Sequence, residues 1–207
     1  MIEGQRVALR AIEEEDLSLL QQMLNDREIS RLVGGFSFPV ALHEQREWLR
    51  RASADRSTQR WMVLDRETGA AVGLTGLWNI DWQSRHALTA LKLAAPETRG
   101  KGLGTDAILT LAAYAFDQVG LHRLWSEILL YNRGSYRAYV EKAGFRVEGV
   151  NREHVWRDGR FHDQVRIGLL ADEFAAGPHA AAYGAKPLEA SVTIEDAHRA
   201  PHSHQIR

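Results

Sequence analysis

The stretch Arg99-Gly100-Lys101-Gly102-Leu103-Gly104-Thr105 limits what this chain can fold into more than any other part of it. It stands between a strand-like run, Ala87 to Ala94, and apolar residues at Leu103, Ala107, Ile108, Leu111 and Ala115 that repeat with the period of a helix. Glycines on alternate positions strip the Cβ atoms from a loop whose backbone N–H groups are still unpaired as the helix begins, and Arg99 and Lys101 add positive charge. A loop of that kind cradles an anion, a pyrophosphate above all. Three readings compete. One is a plain glycine-rich turn with solvated basic residues. A second is a dinucleotide fingerprint, because Gly102-x-Gly104-x-x-Ala107 fits its looser form, and it would make the chain a nicotinamide oxidoreductase. That fingerprint needs its first glycine against the strand end, and here Pro96-Glu97-Thr98-Arg99 intervene. The third depends on residues downstream. A nucleotide-binding P-loop is excluded, since no Gly-Lys-Ser/Thr follows at the required spacing.

The 207 residues suit one domain with a sizeable core. A net charge of -1 gives no electrostatic argument for nucleic acid or an anionic membrane as partner. Without cysteine there is no disulfide, thiolate nucleophile or cysteine zinc site, which fits a reducing compartment. Met1 to Arg6 lacks the apolar core of a signal peptide and no apolar run approaches the length of a membrane span, so a cytoplasmic location is expected.

Arg6 to Ile12 alternates polar and apolar residues as a half-buried strand does. Glu13-Glu14-Glu15-Asp16 complements the positive end of a helix carrying Leu17, Leu20 and Leu24, and a second helix is expected from His43 to Arg51. The glycine- and aromatic-rich Gly34 to Pro39 is either a substrate lid or a connection that packs Phe36 and Phe38 on the core. Trp61 to Leu64 and Ala71 to Trp78 read as strands joined near Gly69, and residues 79–86 as a loop whose His86 is either functional or surface decoration. After the glycine loop and its helix, Gly120 supplies a stop and Leu124 to Leu130 a strand. A strand, a crossover helix and a further strand make a βαβ unit, so the two strands are expected to be parallel and close. Asn132 caps a helix with Tyr136, Tyr139, Val140 and Ala143 on one face, Gly144 ends it, and Asp158-Gly159 turns a closing hairpin that ends at Leu170. From Ala175 onward Ala, Gly, Pro and scattered His replace periodic apolar residues, so 1–174 is read as the domain and 175–207 as a mobile tail. His198, His202 and His204 lack carboxylate or cysteine partners at ligand spacing, and no metal is expected.

Arg99-x-x-Gly102-x-Gly104 resembles the coenzyme A pyrophosphate loop of the GNAT superfamily of N-acetyltransferases, and the likeness runs from about residue 5 to residue 174. Asn132 with Tyr139 is similar to the family motif in which an Asn contacts the pantetheine arm and a Tyr seven residues later sits by the thioester sulfur. Lys142-Ala143-Gly144-Phe145 resembles the Lys-x-Gly-Phe that closes that helix. Glu148-Gly149, Arg152-Glu153 and the run from Arg157 to Asp163 look like the end of the Rim group, which acetylates ribosomal-protein N-termini, and of its polyamine-acetylating relatives. The resemblance implies an α+β fold: a mixed, strongly twisted sheet of about seven strands with about four flanking helices, the fourth and fifth strands splayed to admit acetyl-coenzyme A. It implies contacts to that co-substrate from Leu93, Ala94, Ala95, Arg99, Gly100, Lys101, Gly102, Leu103, Gly104, Thr105, Asn132 and Ser135. Counting from Asn132 puts the tyrosine at Tyr139, whereas counting back from Gly144-Phe145 puts it at Val140, because the helix is one residue longer than usual. Tyr139 is expected, with the extra residue absorbed in a bulge near the helix C-terminus.

An amine attacks as the free base, although a lysine-like amine has a pKa of ~10.4 and an α-amino group one of ~8. Glu127, five residues before Asn132, resembles by that spacing the general base of some Rim-type enzymes. It shares a strand face with Trp125 and Leu129, and a carboxylate among apolar neighbours is the better base, unless Glu127 pairs with a basic residue on a neighbouring strand such as Lys92. Water relays the proton in many members of the family. Tyr139 is the expected acid for the departing thiolate, with Ser135 as fallback, against the simpler role of a core tyrosine. A backbone N–H between Leu93 and Ala95 would hold the oxyanion. The chain is therefore expected to move acetyl from acetyl-coenzyme A directly to a primary amine, on a protein N-terminus or a small molecule. The alternative is a coenzyme A-binding sensor or assembly module without turnover. Phe36, Phe38, Trp82, His154 and Trp156 are candidates for the acceptor pocket or for packing, and a homodimer is allowed because dimers are common among relatives.

Overall fold

The computed structural model describes residues 1–34, 39–52, 54–94, 98 and 100–184. Eight strands form one sheet: β1 (Ile2–Glu3), β2 (Val7–Arg10), β3 (Gln59–Asp65), β4 (Ala71–Asp81), β5 (His86–Leu93), β6 (Arg123–Leu129), β7 (Arg146–Arg157) and β8 (Arg160–Leu170). Their order is β1-β2-β3-β4-β5-β6-β8-β7, and every neighbouring pair is antiparallel except β5 and β6. The strand beyond the expected seven is the two-residue β1, which makes the central parallel pair fifth and sixth here. The loop expected over 79–86 shrinks, since Asp81 still belongs to β4 and His86 already to β5. Asn79 and Arg85 absorb the bend with φ of 51° and 55°. Asp158 and Gly159 also have positive φ, 49° and 77°, which makes the two-residue turn that Asp-Gly foretells.

Helices cover both faces. On one, α1 (Leu17–Asn25), α2 (Arg27–Leu32) and α3 (Leu42–Ala52) bring Leu17, Leu20, Met23 and Ile29 onto Met62, with Leu74 and Ala94 beside them. On the other lie α4 (Leu103–Ala113, prolonged by a π turn over Tyr114–Gln118), α5 (Arg133–Tyr136, prolonged by a π turn over Arg137–Lys142), α6 (Ala171–Ala176) and α7 (Ala180–Tyr183). There Leu111, Leu124, Ile167 and Phe145 are fully buried. More helical segments exist than the four or so expected because α2 is too short to display a period, α6 straddles the expected domain end and α7 lies beyond it. The π turn in α5 settles the count of residues between Asn132 and Gly144. Ala143 N–H bonds Ala138 O at 3.0 Å, five residues back, so one residue is taken up without turning the face. Tyr139 is buried and Val140 only partly so.

Asp106, buried in the first turn of α4, fastens the start of β2 and α7 to the centre. Its carboxylate accepts from the N–H groups of Arg6 and Val7 at 2.8 Å each, from Gln5 N–H at 3.2 Å, and from the Tyr183 hydroxyl. Gln5 Nε2 donates to Ala182 O at 3.1 Å. Ala175 to Tyr183, expected as the start of a mobile tail, therefore include the end of α6 and a helix docked on α4. Its alanines give too faint a period to announce that docking. Residues 185–207, with His198, His202 and His204, lie outside the described residues, as do Phe36 and Phe38. Removing the carboxylate strands three backbone donors at ~1 kcal/mol or more apiece. Asp106→Ala is expected to cost about 3 kcal/mol in urea unfolding, and Tyr183→Phe about 1 kcal/mol. Equal small losses would mean that the hub contributes little.

Candidate active site

The β5–β6 ladder holds only His86↔Arg123, Ala87↔Leu124 and Leu88↔Trp125, then stops although both strands run on to Leu93 and Leu129. On its other side β5 stays paired with β4, and Ala94 N–H bonds Val72 O at 2.8 Å. Antiparallel bonds alternate along a strand, so Ala90 and Lys92 also turn their main chain to β4 while Leu91 and Leu93 turn theirs to the gap. Backbone groups directed into a cleft favour an extended, amide-bearing ligand that lies there as an added strand. Of the three residues expected to supply the oxyanion donor, Ala94 is excluded because Val72 already takes its N–H. Leu93 faces the gap, and Ala95 lies outside the described residues.

The gap opens into a cleft of about 1860 Å³ whose wall includes the start of α4. Gly102 precedes that helix with φ 82° and no side chain caps it; the first helical bond is Asp106 N–H to Gly102 O at 3.0 Å. The N–H groups of Leu103, Gly104 and Thr105 are thus uncapped beside the cleft, the arrangement that holds a phosphate. Leu103 contributes main chain alone, its side chain being buried in the core. Gly100 and Gly102, at φ 78° and 82°, hold a conformation that a Cβ disfavours. At Gly104 a Cβ would lie 3.4 Å from Leu91, an ordinary contact. Thr105 and Lys101 line the cleft, and Arg99 lies outside the described residues. Arg6 joins the loop from β2's side of the sheet. Its Nη1 donates to Lys101 O at 2.8 Å, which brings a second cation to the loop from 95 residues away, too far for any local pattern to reveal. Further along the same cleft stand Arg137, Lys142 and His179.

Tyr139 reaches the point where the strands part. Its ring stands edge-on to Phe145 at 5.1 Å, and its buried hydroxyl makes no hydrogen bond of good geometry among the described residues, although the Thr89 and Ser126 hydroxyls are near enough to act on it. Burial pushes the phenol pKa well up, and Thr89 on β5 and Ser126 on β6, each one residue past the last ladder pair, pull it part of the way back. Both hydroxyls are buried, on the face of each strand turned to α4 and α5, where their strand neighbours Ala87, Leu124 and Ile128 are apolar. Asn132 and Ser135 also line the cleft. The Asn132 amide accepts from Ser135 N–H at 3.0 Å and donates to Leu32 O at 2.8 Å, so it caps α5 and ties that helix to the end of α2.

Glu127 lines the cleft on β6, but its surroundings are not the apolar ones expected. Arg166, opposite it on β8, places Nη2 3.2 Å from Glu127 Oε1 and lies 5.5 Å over the Trp125 ring. The pairing partner is therefore Arg166 and not Lys92. His154 and Trp156 reach the cleft wall, whereas Trp82 is 52% exposed at the β4–β5 turn with its indole N–H on Arg56 O. His86 stands near Asp81, 3.8 Å away, at the opposite end of β5 from the gap. Among the described residues no three His, Asp or Glu side chains converge as metal ligands, and no helix is long and apolar enough to cross a membrane.

This geometry has counterparts. A family model described as an acetyltransferase (GNAT) domain matches residues 6–146. The uncharacterized prophage-derived N-acetyltransferase YokL of Bacillus subtilis is 26% identical over 171 residues, 83% of this chain and 93% of that protein. Spermidine N(1)-acetyltransferase of Escherichia coli K12 is 28% identical over 171 residues, 82% of this chain and 89% of that one. The crystal structure of spermidine N-acetyltransferase from Vibrio cholerae in complex with CoA and spermine superposes with a TM-score of 0.75 at 27% identity, covering 83% of this chain and 99% of that one. With the parted strands, the uncapped helix and a family match over more than half of its length, the chain belongs to the GNAT acetyltransferases.

Proposed function

We propose that this GNAT N-acetyltransferase transfers acetyl from acetyl-coenzyme A directly to a primary amine, with Glu127 as the proton acceptor and Tyr139 as the proton donor. The observation that carries the proposal is the Tyr139 hydroxyl, buried where β5 and β6 separate with Thr89 and Ser126 near it but no hydrogen bond of good geometry among the described residues. A tyrosine serving the core alone would find a partner for its O–H, because an unpaired buried hydroxyl costs free energy. Acetyl-coenzyme A supplies an activated thioester. The N–H groups at the start of α4, with Arg6 and Lys101, would hold its diphosphate; the main chain of Leu91 and Leu93 would bond its pantetheine amides; Leu93 N–H would steady the charge on the acyl oxygen. Asn132 and Ser135 would line its thiol end.

Glu127 carries the ion pair with Arg166, which fixes the carboxylate at the cleft and leaves Oε2 for a water or for the incoming ammonium. Taking one proton from the ammonium frees the lone pair that attacks the acyl carbon. The C–S bond then breaks, and the Tyr139 phenol, which its buried position keeps protonated at neutral pH, gives its proton to the sulfur. The nitrogen sheds its second proton as the amide forms, which by way of water in the cleft restores the phenol; Glu127 gives its proton to solvent, and the amide and thiol leave. The acceptor, a protein N-terminus or a small amine, would enter past His154 and Trp156 on the α1–α3 side. A second copy of the chain is a further expected partner.

The test is thiol release from acetyl-coenzyme A across a panel of peptide and small-molecule amines. Tyr139→Phe is expected to lower kcat about 100-fold while the urea midpoint stays level or rises, since the lost hydroxyl made no hydrogen bond of good geometry. A fall in stability with kcat intact would return the residue to a packing role. Glu127→Gln is expected to slow turnover strongly at pH 7 and progressively less as pH rises toward an amine pKa of ~10, where the acceptor reaches the site already deprotonated. A wild-type to variant ratio that does not change with pH would exclude Glu127 as the base.

A further inference from the structure

Beside the cleft, on the α1–α3 face of the sheet, lies a side pocket of about 300 Å³ lined by Leu74, Trp78, Asn79, Leu88, Ala90 and Lys92. It shares Leu88, Ala90 and Lys92 with the main cleft, so the two adjoin along β5. Its walls are apolar apart from the Asn79 amide and the Lys92 ammonium. Lys92 has neither an ion pair nor a hydrogen bond to another side chain among the described residues. Withdrawal from water lowers its pKa, the mark of a cation that nothing in the protein compensates.

The charges around it point the same way. Arg60 lies 5.3 Å from the Trp48 ring and 5.8 Å from the Trp78 ring, behind the pocket wall, with Asp55 as the carboxylate that acts on it. Arg166 is taken up by Glu127. Glu28 on α2, the other carboxylate at this side of the cleft, has an interaction of its own. On this sheet face Arg60 is matched by Asp55 and Arg166 by Glu127, which leaves Lys92 as the cation of the pocket lining with no ion pair among the described residues. Within the pocket a cationic group would meet the Lys92 ammonium and no carboxylate of the lining. An anion on a short apolar stem would desolvate against Trp78 and Leu88 and pair with the ammonium.

We propose that this pocket is an acceptor subsite, in which Lys92 receives a carboxylate carried by the amine that is to be acetylated. The inference rests on the acetyl-transfer reading and adds the class of acceptor: a small amino acid, or a peptide with an acidic residue next to its N-terminus, rather than a polyamine. Lys92 acts on specificity and takes no part in the proton transfers.

The experiment uses the full chain with saturating acetyl-coenzyme A and pairs of acceptors that differ by one charge: amino acids against their C-terminal amides, and N-terminal peptides with Asp against Asn at the second position. Spermidine is the polycationic control. The acidic member of at least one pair is expected to show a kcat/KM about tenfold or more above its neutral twin. The responding pair tells a free amino acid from a peptide. Lys92→Met is expected to bring the twins within about twofold while leaving KM for acetyl-coenzyme A in place, and Lys92→Arg to keep the preference. A preference for spermidine or the neutral twins, or a charge preference that survives Lys92→Met, would overturn the subsite. If no amine releases thiol, the acetyl-transfer reading itself fails. The subsite is then judged by calorimetric titration of the coenzyme A-loaded protein with the same twins, where equal affinities would reject it.

Discussion

Two parallel strands that cease to hydrogen-bond after Leu88 and Trp125 are the constraint around which the molecule is arranged. An interrupted ladder leaves N–H and C=O groups without partners, and such groups are expensive in a dry interior. The fold accepts the interruption because each strand is braced from its outer side: β5 by β4 along its length, β6 by seven register pairs with β8. Neither strand needs the other, so the gap persists. What would be a defect in a closed sheet becomes a slot for a ligand with its own amides.

The slot also brings the two covering layers together. α4 and α5 stand on one face of the sheet and α1 to α3 on the other, and only where the strands part can groups from both meet. Tyr139 comes from the α5 side, and Glu127 with Arg166 lies on the sheet face that includes Lys92. Asn132 spans the divide, capping α5 with its oxygen and holding Leu32 O with its nitrogen, and the Tyr131 hydroxyl adds a bond to Arg31 O. A shift of α2 when an acceptor enters would therefore be felt at the first turn of α5. Asp106 couples the start of α4 to the start of β2 and to α7 in the same direct way.

What could be read from the sequence was whatever depends on neighbours in the chain. The glycine loop, the βαβ unit, the Asn132 cap and the Asp158-Gly159 turn each rest on backbone rules that act over a few residues, and all of them are present. The extra residue in α5 was legible as well, because a π turn is the local way to absorb it without moving Tyr139 off the buried face. What stayed hidden depends on strand register and on distant pairs. Arg166 was invisible as the partner of Glu127 because only the β6–β8 register puts them opposite. Arg6 reaches Lys101 across most of a domain, and α7 docks through a single tyrosine among alanines. The blocked Ala94 N–H follows from which residues of β5 face β4, a parity that the pattern of side chains alone does not reveal.

The division between main-chain and side-chain recognition explains how such a chain keeps its chemistry at 26–28% identity to relatives that span most of its length. The uncapped helix start and the gap-facing main chain of β5 offer peptide groups, and peptide groups are supplied by any residue that keeps the backbone in place. Positions with special φ, such as Gly100 and Gly102, are where a change of residue would disturb that backbone. The acceptor meets side chains instead, on a face whose other duty is to pack α1 to α3. Substitutions there alter charge and shape without touching the slot, so acceptor preference can diverge while acyl transfer does not. A lysine at position 92 with no ion pair among the described residues is the kind of difference that this freedom permits, and it stands in the lining of both the side pocket and the cleft.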